Sequence, residues 1–298
     1  MLLGVVAGLL VATSQSVYYL LSRRYTAASG DGSLGLLVLS HLWSGILSLI
    51  ALPLILGGHS LPPVQTWILP LLTSTGFYLA GHASLFVALK HAEASRVSPL
   101  LGLKVLMLAI ASVTVLGDSL HPWQWLGVGL SVVAAFVLNY SGERLPTRVT
   151  LAALGACLGY SLSDLGIRSL NTALVGMGPT RGALTGCAMS LVLCGLIALP
   201  GLVRRPNRRQ WRLSFPVGLS WFVAMGFLFI TFAAVGVIYG NILQATRGLQ
   251  SILMAVLVAH LGWLHLERKV QAGVFWRRLA AAVLMIAAIA LYLIPTSS

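Results

Sequence analysis

Charged side chains are scarce in this sequence. Only 8% of its 298 residues are Asp, Glu, Lys or Arg, where a soluble domain carries about 25%. Acidic residues are rarest, six in all: Asp31, Glu93, Asp118, Glu143, Asp164 and Glu267. They are scattered along the chain, and no paired-carboxylate acid–base centre is apparent. The three cysteines, Cys157, Cys187 and Cys194, all fall inside apolar runs. They read as buried thiols and offer neither a disulfide framework nor a metal cluster. An HExxH motif, a phosphate-binding P-loop and a nucleophile elbow are also missing. No enzymatic activity, metal, cofactor or ATP-driven pumping is therefore expected.

Apolar residues are plentiful. They make up 58% of the chain and gather in blocks matching the roughly 20 residues that a membrane-spanning helix needs. Their pattern predicts ten helices near 2–22, 34–56, 66–88, 96–116, 122–140, 149–168, 182–203, 216–237, 241–263 and 273–294. Turn residues punctuate the short connections, as in "SGDGS" (29–33), "GGHSLPP" (57–63) and "RRPNRRQWR" (204–212). Short links favour antiparallel neighbours in a bundle. The expected fold class is an all-α polytopic membrane protein with ten transmembrane helices, and its first partner is the lipid bilayer.

A formal net charge of +13 would suggest nucleic acid in a soluble protein. Here the excess lies in loops, where it sets topology, and no nucleic-acid partner is expected. The loops after helices 1, 3, 5, 7 and 9 hold fifteen of the 19 Lys and Arg residues. The opposite side holds Arg168 and Arg181, while Lys104 and Arg247 lie inside helices. The positive-inside rule then places the odd-numbered loops in the cytoplasm and both termini outside. Arg23 and Arg24 follow the first apolar run instead of preceding it, so that run reads as a retained span, not a cleaved signal.

Ten spans divide into two halves, 1–145 and 146–298. Five is odd, so the halves would be inverted relative to each other, as in many secondary transporters. Two segment pairs support a repeat: "SVYYLLSR" (16–23) with "SLSDLGIR" (161–168), and "GLKVLMLA" (102–109) with "GLQSILMA" (248–255). Within 88–138, Ala88-Leu89, Ala94-Ser95, Leu116-Gly117-Asp118, Gln124 and Gly127 form a pattern. Through it the chain resembles the EamA-like branch of the drug/metabolite transporter superfamily; Leu261-Gly262 and Glu267 fit more loosely in the second half. The resemblance implies a ten-helix secondary transporter in a bacterial inner membrane, and leaves a homodimer open. There are departures. Val105 stands where the family usually has proline, Asp118 replaces its glutamate, and "GGHSLPPVQ" (57–65) lacks the basic residues common in that loop. The family also commonly keeps both termini inside, against the charge count here.

Lys104 is the strongest candidate for a functional role. It sits roughly 13 Å into its apolar run at about 1.5 Å per residue, where a charge costs about 2.5–3.5 kcal/mol. Asp118, fourteen positions on, is too far along the same helix to be its partner. Asp164 is the one acid inside a predicted span, and Arg168 competes for it at helical spacing. Arg247 is the second intramembrane cation, one turn before the position matching Lys104. Two cations with at most one free carboxylate favour an anionic small-molecule substrate: a carboxylate, phosphate or sulfonate. Triose-phosphate transporters of the same fold hold phosphate with intramembrane Lys and Arg, an analogy of charge placement only.

Gln244 and Gln250 on helix 9, Gln15 and Tyr19 on helix 1 and Ser161 on helix 6 are candidate substrate donors. Equally, such groups can simply bond neighbouring helices. Asp164 is the coupling candidate, or a structural partner of Arg168. With Lys104 structural, the chain reads instead as an exporter of amino acids or of neutral or cationic metabolites. A non-transporting, lipid-handling partner protein is the alternative from another class.

Overall fold

A computed structural model describes residues 1–30, 32–91, 97, 100–139, 146–247, 250, 272–292 and 294. These residues contain ten α-helices and no strand. In chain order they are α1 (Leu2–Ser29), α2 (Ser33–Leu56), α3 (Val64–His91), α4 (Lys104–Leu116) and α5 (Pro122–Asn139). Then follow α6 (Thr147–Ala173), α7 (Pro179–Ala198), α8 (Arg208–Val235), α9 (Val237–Ala245) and α10 (Ala272–Tyr292). Helices α1, α2, α3, α6, α7 and α8 are long and apolar enough to cross a membrane, and α4 and α5 are shorter apolar helices. The chain is a multi-pass, all-helical membrane protein.

Local chemistry explains where several helices differ from the hydropathy pattern. α8 begins at Arg208, ahead of the expected 216, because a reciprocal cap starts it there. Asn207 Oδ1 accepts from the Gln210 N–H at 2.9 Å, and Gln210 Oε1 accepts from the Asn207 N–H at 2.8 Å. Gly236, at φ 80°, ends α8 before α9 begins at Val237; an L side chain is strained in that conformation. The expected fourth span, 96–116, is not one helix. A turn at Gly102–Leu103 interrupts it, with the Leu103 N–H bonded to the Leu100 carbonyl, and α4 starts at Lys104. Val105 is thus the second residue of a helix, a place where proline is tolerated. The expected ninth span is broken as well. α9 ends at Ala245, a turn follows at Thr246, and 251–263 lie outside the described residues.

Two compact units emerge. The first is Met1–Thr75 with Gly166–Gly236; the second is Gly76–Leu165 with Val237–Ser298. Helices α3 and α6 therefore each contribute to both units. In the first unit α1 packs on α8, and α2 on α7 and α8. Tyr25, Leu36, Leu39, Leu42 and Val217 form a buried cluster there. In the second unit α5 packs on α10, while α9 touches α4, α5 and α10. Ala88, Val97, Val149 and Ala153 form a buried cluster there. α6 approaches α3 closely at Gly159, where a Cβ would lie 2.7 Å from the Gly81 Cα. Small residues at a helix contact allow such backbone approach.

Candidate functional site

The second unit holds a linked set of polar and aromatic groups. Lys104 is the first residue of α4, and its Nζ lies 2.8 Å from Oδ2 of Asp164 in α6. The same carboxylate oxygen accepts from Asn241 Nδ2 of α9 at 2.7 Å. Asn241 is held in turn, because Nδ2 also donates to the Val237 carbonyl at 2.8 Å. Ser161, one turn before Asp164, donates to the carbonyls of Cys157 at 2.8 Å and Lys104 at 3.1 Å. The start of α4 is therefore fastened to α6 through both backbone and side chain.

Aromatic groups adjoin the pair. Lys104 Nζ lies 5.8 Å from the ring centroid of Tyr160, within the range of a cation–π contact. The Tyr160 hydroxyl is 3.1 Å from Nδ1 of His82 in α3, and the Tyr78 and His82 rings stand 4.3 Å apart. A continuous series runs from Asn241 through Asp164, Lys104 and Tyr160 to His82 and Tyr78. Its two charges are unequally accessible. The Lys104 side chain is 19% exposed, while Asp164 is 5% exposed.

This geometry corrects the expectation that Lys104 lies mid-helix without a protein partner. The break at Gly102–Leu103 moves it to a helix start, and Asp164 neutralises it. Arg247, beyond the end of α9, and Gln250 both make contacts within the chain. Gln244 is buried in α9, where Val237 to Gln244 are all buried. Gln15 and Tyr19 belong to the first unit; Gln15 is buried, and Tyr19 is exposed with its ring 5.5 Å from that of Tyr18. Asp118, two residues past the end of α4, accepts a hydrogen bond from the Ser112 hydroxyl. Lys104, Asp164 and Ser161 are thus brought together. Asn241, Tyr160 and Tyr78 join them without having been singled out as site residues. For Asn241 the sequence signal was an amide inside an apolar stretch; Tyr160 and Tyr78 gave none.

The chemical capacity of the arrangement follows from its charges. The start of α4 carries the positive end of a helix dipole, and Lys104 adds a full positive charge. Asp164 acts as the resident anion.

Comparison with known proteins agrees with the helical architecture. Residues 2–140 match the model of the EamA-like transporter family. Over 78 residues the chain is 38% identical to an uncharacterized transporter in the cobO 3' region of Sinorhizobium sp.. That alignment covers 26% of this chain and 53% of the relative, so the chain spans about half the length of the curated relative it matches. A solved structure described as "Crystal structure of protein" superimposes with a TM-score of 0.70 at 19% identity, covering 98% of this chain and 96% of the other. That likeness concerns the fold.

Proposed function

We propose that this chain, whose residues 2–140 match the EamA-like transporter family, is a secondary active transporter of a small organic anion. The supporting observation is the Lys104–Asp164 pair at the start of α4, with Lys104 as its more exposed member. In this reading a carboxylate, phosphate or sulfonate oxygen binds Lys104 and displaces Asp164. A buried carboxylate stripped of its cation costs several kcal/mol, so Asp164 takes up a proton as the substrate anion binds. Anion and proton then move together by alternating access, and release restores the pair. Tyr160 flanks the ammonium, Ser161 holds the start of α4, and Gln244 and Gln250 are further donors. Arg247 is a second cationic donor.

Asp164→Asn tests the coupling. In sealed proteoliposomes the variant is expected to move the anion down its gradient while the accompanying proton flux disappears. Proton flux at the wild-type ratio would remove Asp164 from the mechanism.

The halves 1–145 and 146–298 are read as inverted repeats in a bacterial inner membrane, with both termini outside. The basis is the fifteen cationic residues in the odd-numbered loops. A reporter fused after Ser298 is expected to be active only when extracytoplasmic. A cytoplasmic signal reverses the topology.

A second reading is favoured by the fact that Lys104 already has a partner. If the pair persists through the cycle, Lys104 is structural, and the solutes are amino acids or neutral or cationic metabolites. Competition by amino acids, without competition by carboxylic or phosphorylated anions, would select it.

A further inference from the structure

We propose that a cavity at the arginine-rich end of the first unit binds the phosphate headgroup of an anionic phospholipid. This site is separate from the Lys104 pair and does not depend on the transport reading. The cavity has a volume of about 140 Å³ and sits where three helix ends meet. Gly35, Val38 and Leu39 line it from the first turns of α2, Gly201 and Arg204 from the 3-10 turn Leu199–Arg204 after α7, and Gln210 from the first turn of α8.

Its walls differ in character. Val38, Leu39 and Pro206 supply an apolar side, suited to a glycerol backbone and the first acyl carbons. Arg204 and Gln210 supply donors. Gln210 Oε1 is occupied by the Asn207 N–H, but its NH2 group has no acceptor among the described residues. Arg204 is exposed at the mouth and is one of five arginines within 204–212. The described residues of this unit include no Asp or Glu; the acid in its sequence, Asp31, lies outside them. A planar guanidinium suits two oxygens of a phosphate.

The depth is also appropriate. One turn further along α2, Trp43 Nε1 donates to the Trp211 carbonyl at 3.1 Å. The Trp43 ring packs edge-on against Trp211 and Phe215, at 5.4 and 5.0 Å. Tryptophans gather at headgroup level in membrane proteins. Basic pockets between helix ends on the cytoplasmic side attract anionic lipid. Charge alone would not need a cavity; here the arginine lines one that has an apolar floor.

The test is native mass spectrometry of the full chain in mixed micelles of phosphatidylglycerol and phosphatidylcholine. The wild type is expected to retain phosphatidylglycerol over phosphatidylcholine, and Arg204→Gln to lower that retention about tenfold, the worth of a charge-assisted contact to the phosphate. Lys90→Gln removes an equal charge from an exposed position outside the cavity and should leave retention unchanged. Equal retention of the two lipids, an unaffected Arg204→Gln, or an equal loss in Lys90→Gln would overturn the proposal. Complete displacement of the lipid by millimolar inorganic phosphate would overturn it too, in favour of a free-anion site.

Discussion

Lys104→Gln is expected to lower anion transport roughly a hundredfold, because a charge-assisted contact is worth about 1.5–3 kcal/mol. It is also expected to destabilise the protein. Lys104 holds Asp164 at 2.8 Å, and removing one member of a buried pair costs about 3–5 kcal/mol. The partial exposure of the Lys104 side chain puts this case at the low end, about 3 kcal/mol. The double variant Lys104→Gln/Asp164→Asn removes both charges and leaves amide groups able to bond each other and Asn241. Its thermal unfolding midpoint should return most of the way to wild type while transport stays lost. That separation matters, since a merely structural Lys104 predicts recovery of stability and transport together. Unfolding midpoints in detergent and flux in proteoliposomes provide the two readings.

Gly159→Ala is expected to cost about 1–3 kcal/mol, the usual range for forcing extra atoms into a packed interior. The new Cβ would stand 2.7 Å from the Gly81 Cα, 2.8 Å from its nitrogen and 3.0 Å from the Phe77 carbonyl oxygen. All three obstacles are backbone, so α3 and α6 must separate to admit it. Gly155, one turn earlier on α6, is the internal control. Its Cβ would meet only the Ser84 side chain, at 3.4 and 3.7 Å. Gly155→Ala should therefore be neutral or gain up to about 1 kcal/mol from helix propensity. Gly159→Leu should prevent folding, read as loss of monodisperse protein on size exclusion. Equal tolerance of alanine at 155 and 159 would contradict the close approach.

The ten helices were legible because apolar runs are long and turn residues sharp, and α2 and α5 fall within one residue of their expected bounds. The break before α4 was hidden, since a lone glycine such as Gly102 is tolerated within a helix and leaves hydropathy intact. With that break unseen, Lys104 was misplaced by a whole helical segment. Its importance was legible from one charge in an apolar run, but its partner was not. Asp164 sits two helices later in the chain, and only the packing of α4 on α6 brings the two together. Asn241 shows the same limit. An amide in an apolar stretch marks a helix as buried or functional, yet its acceptor lies in α6. Small residues are easier to read: "GACLG" (155–159) puts glycines four apart, a spacing that lets helices approach closely, and Gly159 makes that approach.

The most direct measurement follows internal pH in sealed proteoliposomes while gradients of small carboxylates and phosphate esters are imposed one at a time. With Lys104 as the anion clamp and Asp164 as the proton carrier, at least one anion enters with a proton. That flux vanishes in Lys104→Gln, and it loses its proton in Asp164→Asn. Lys104→Gln protein that moves amines or neutral solutes at the wild-type rate, with no anion carried by either protein, would contradict it.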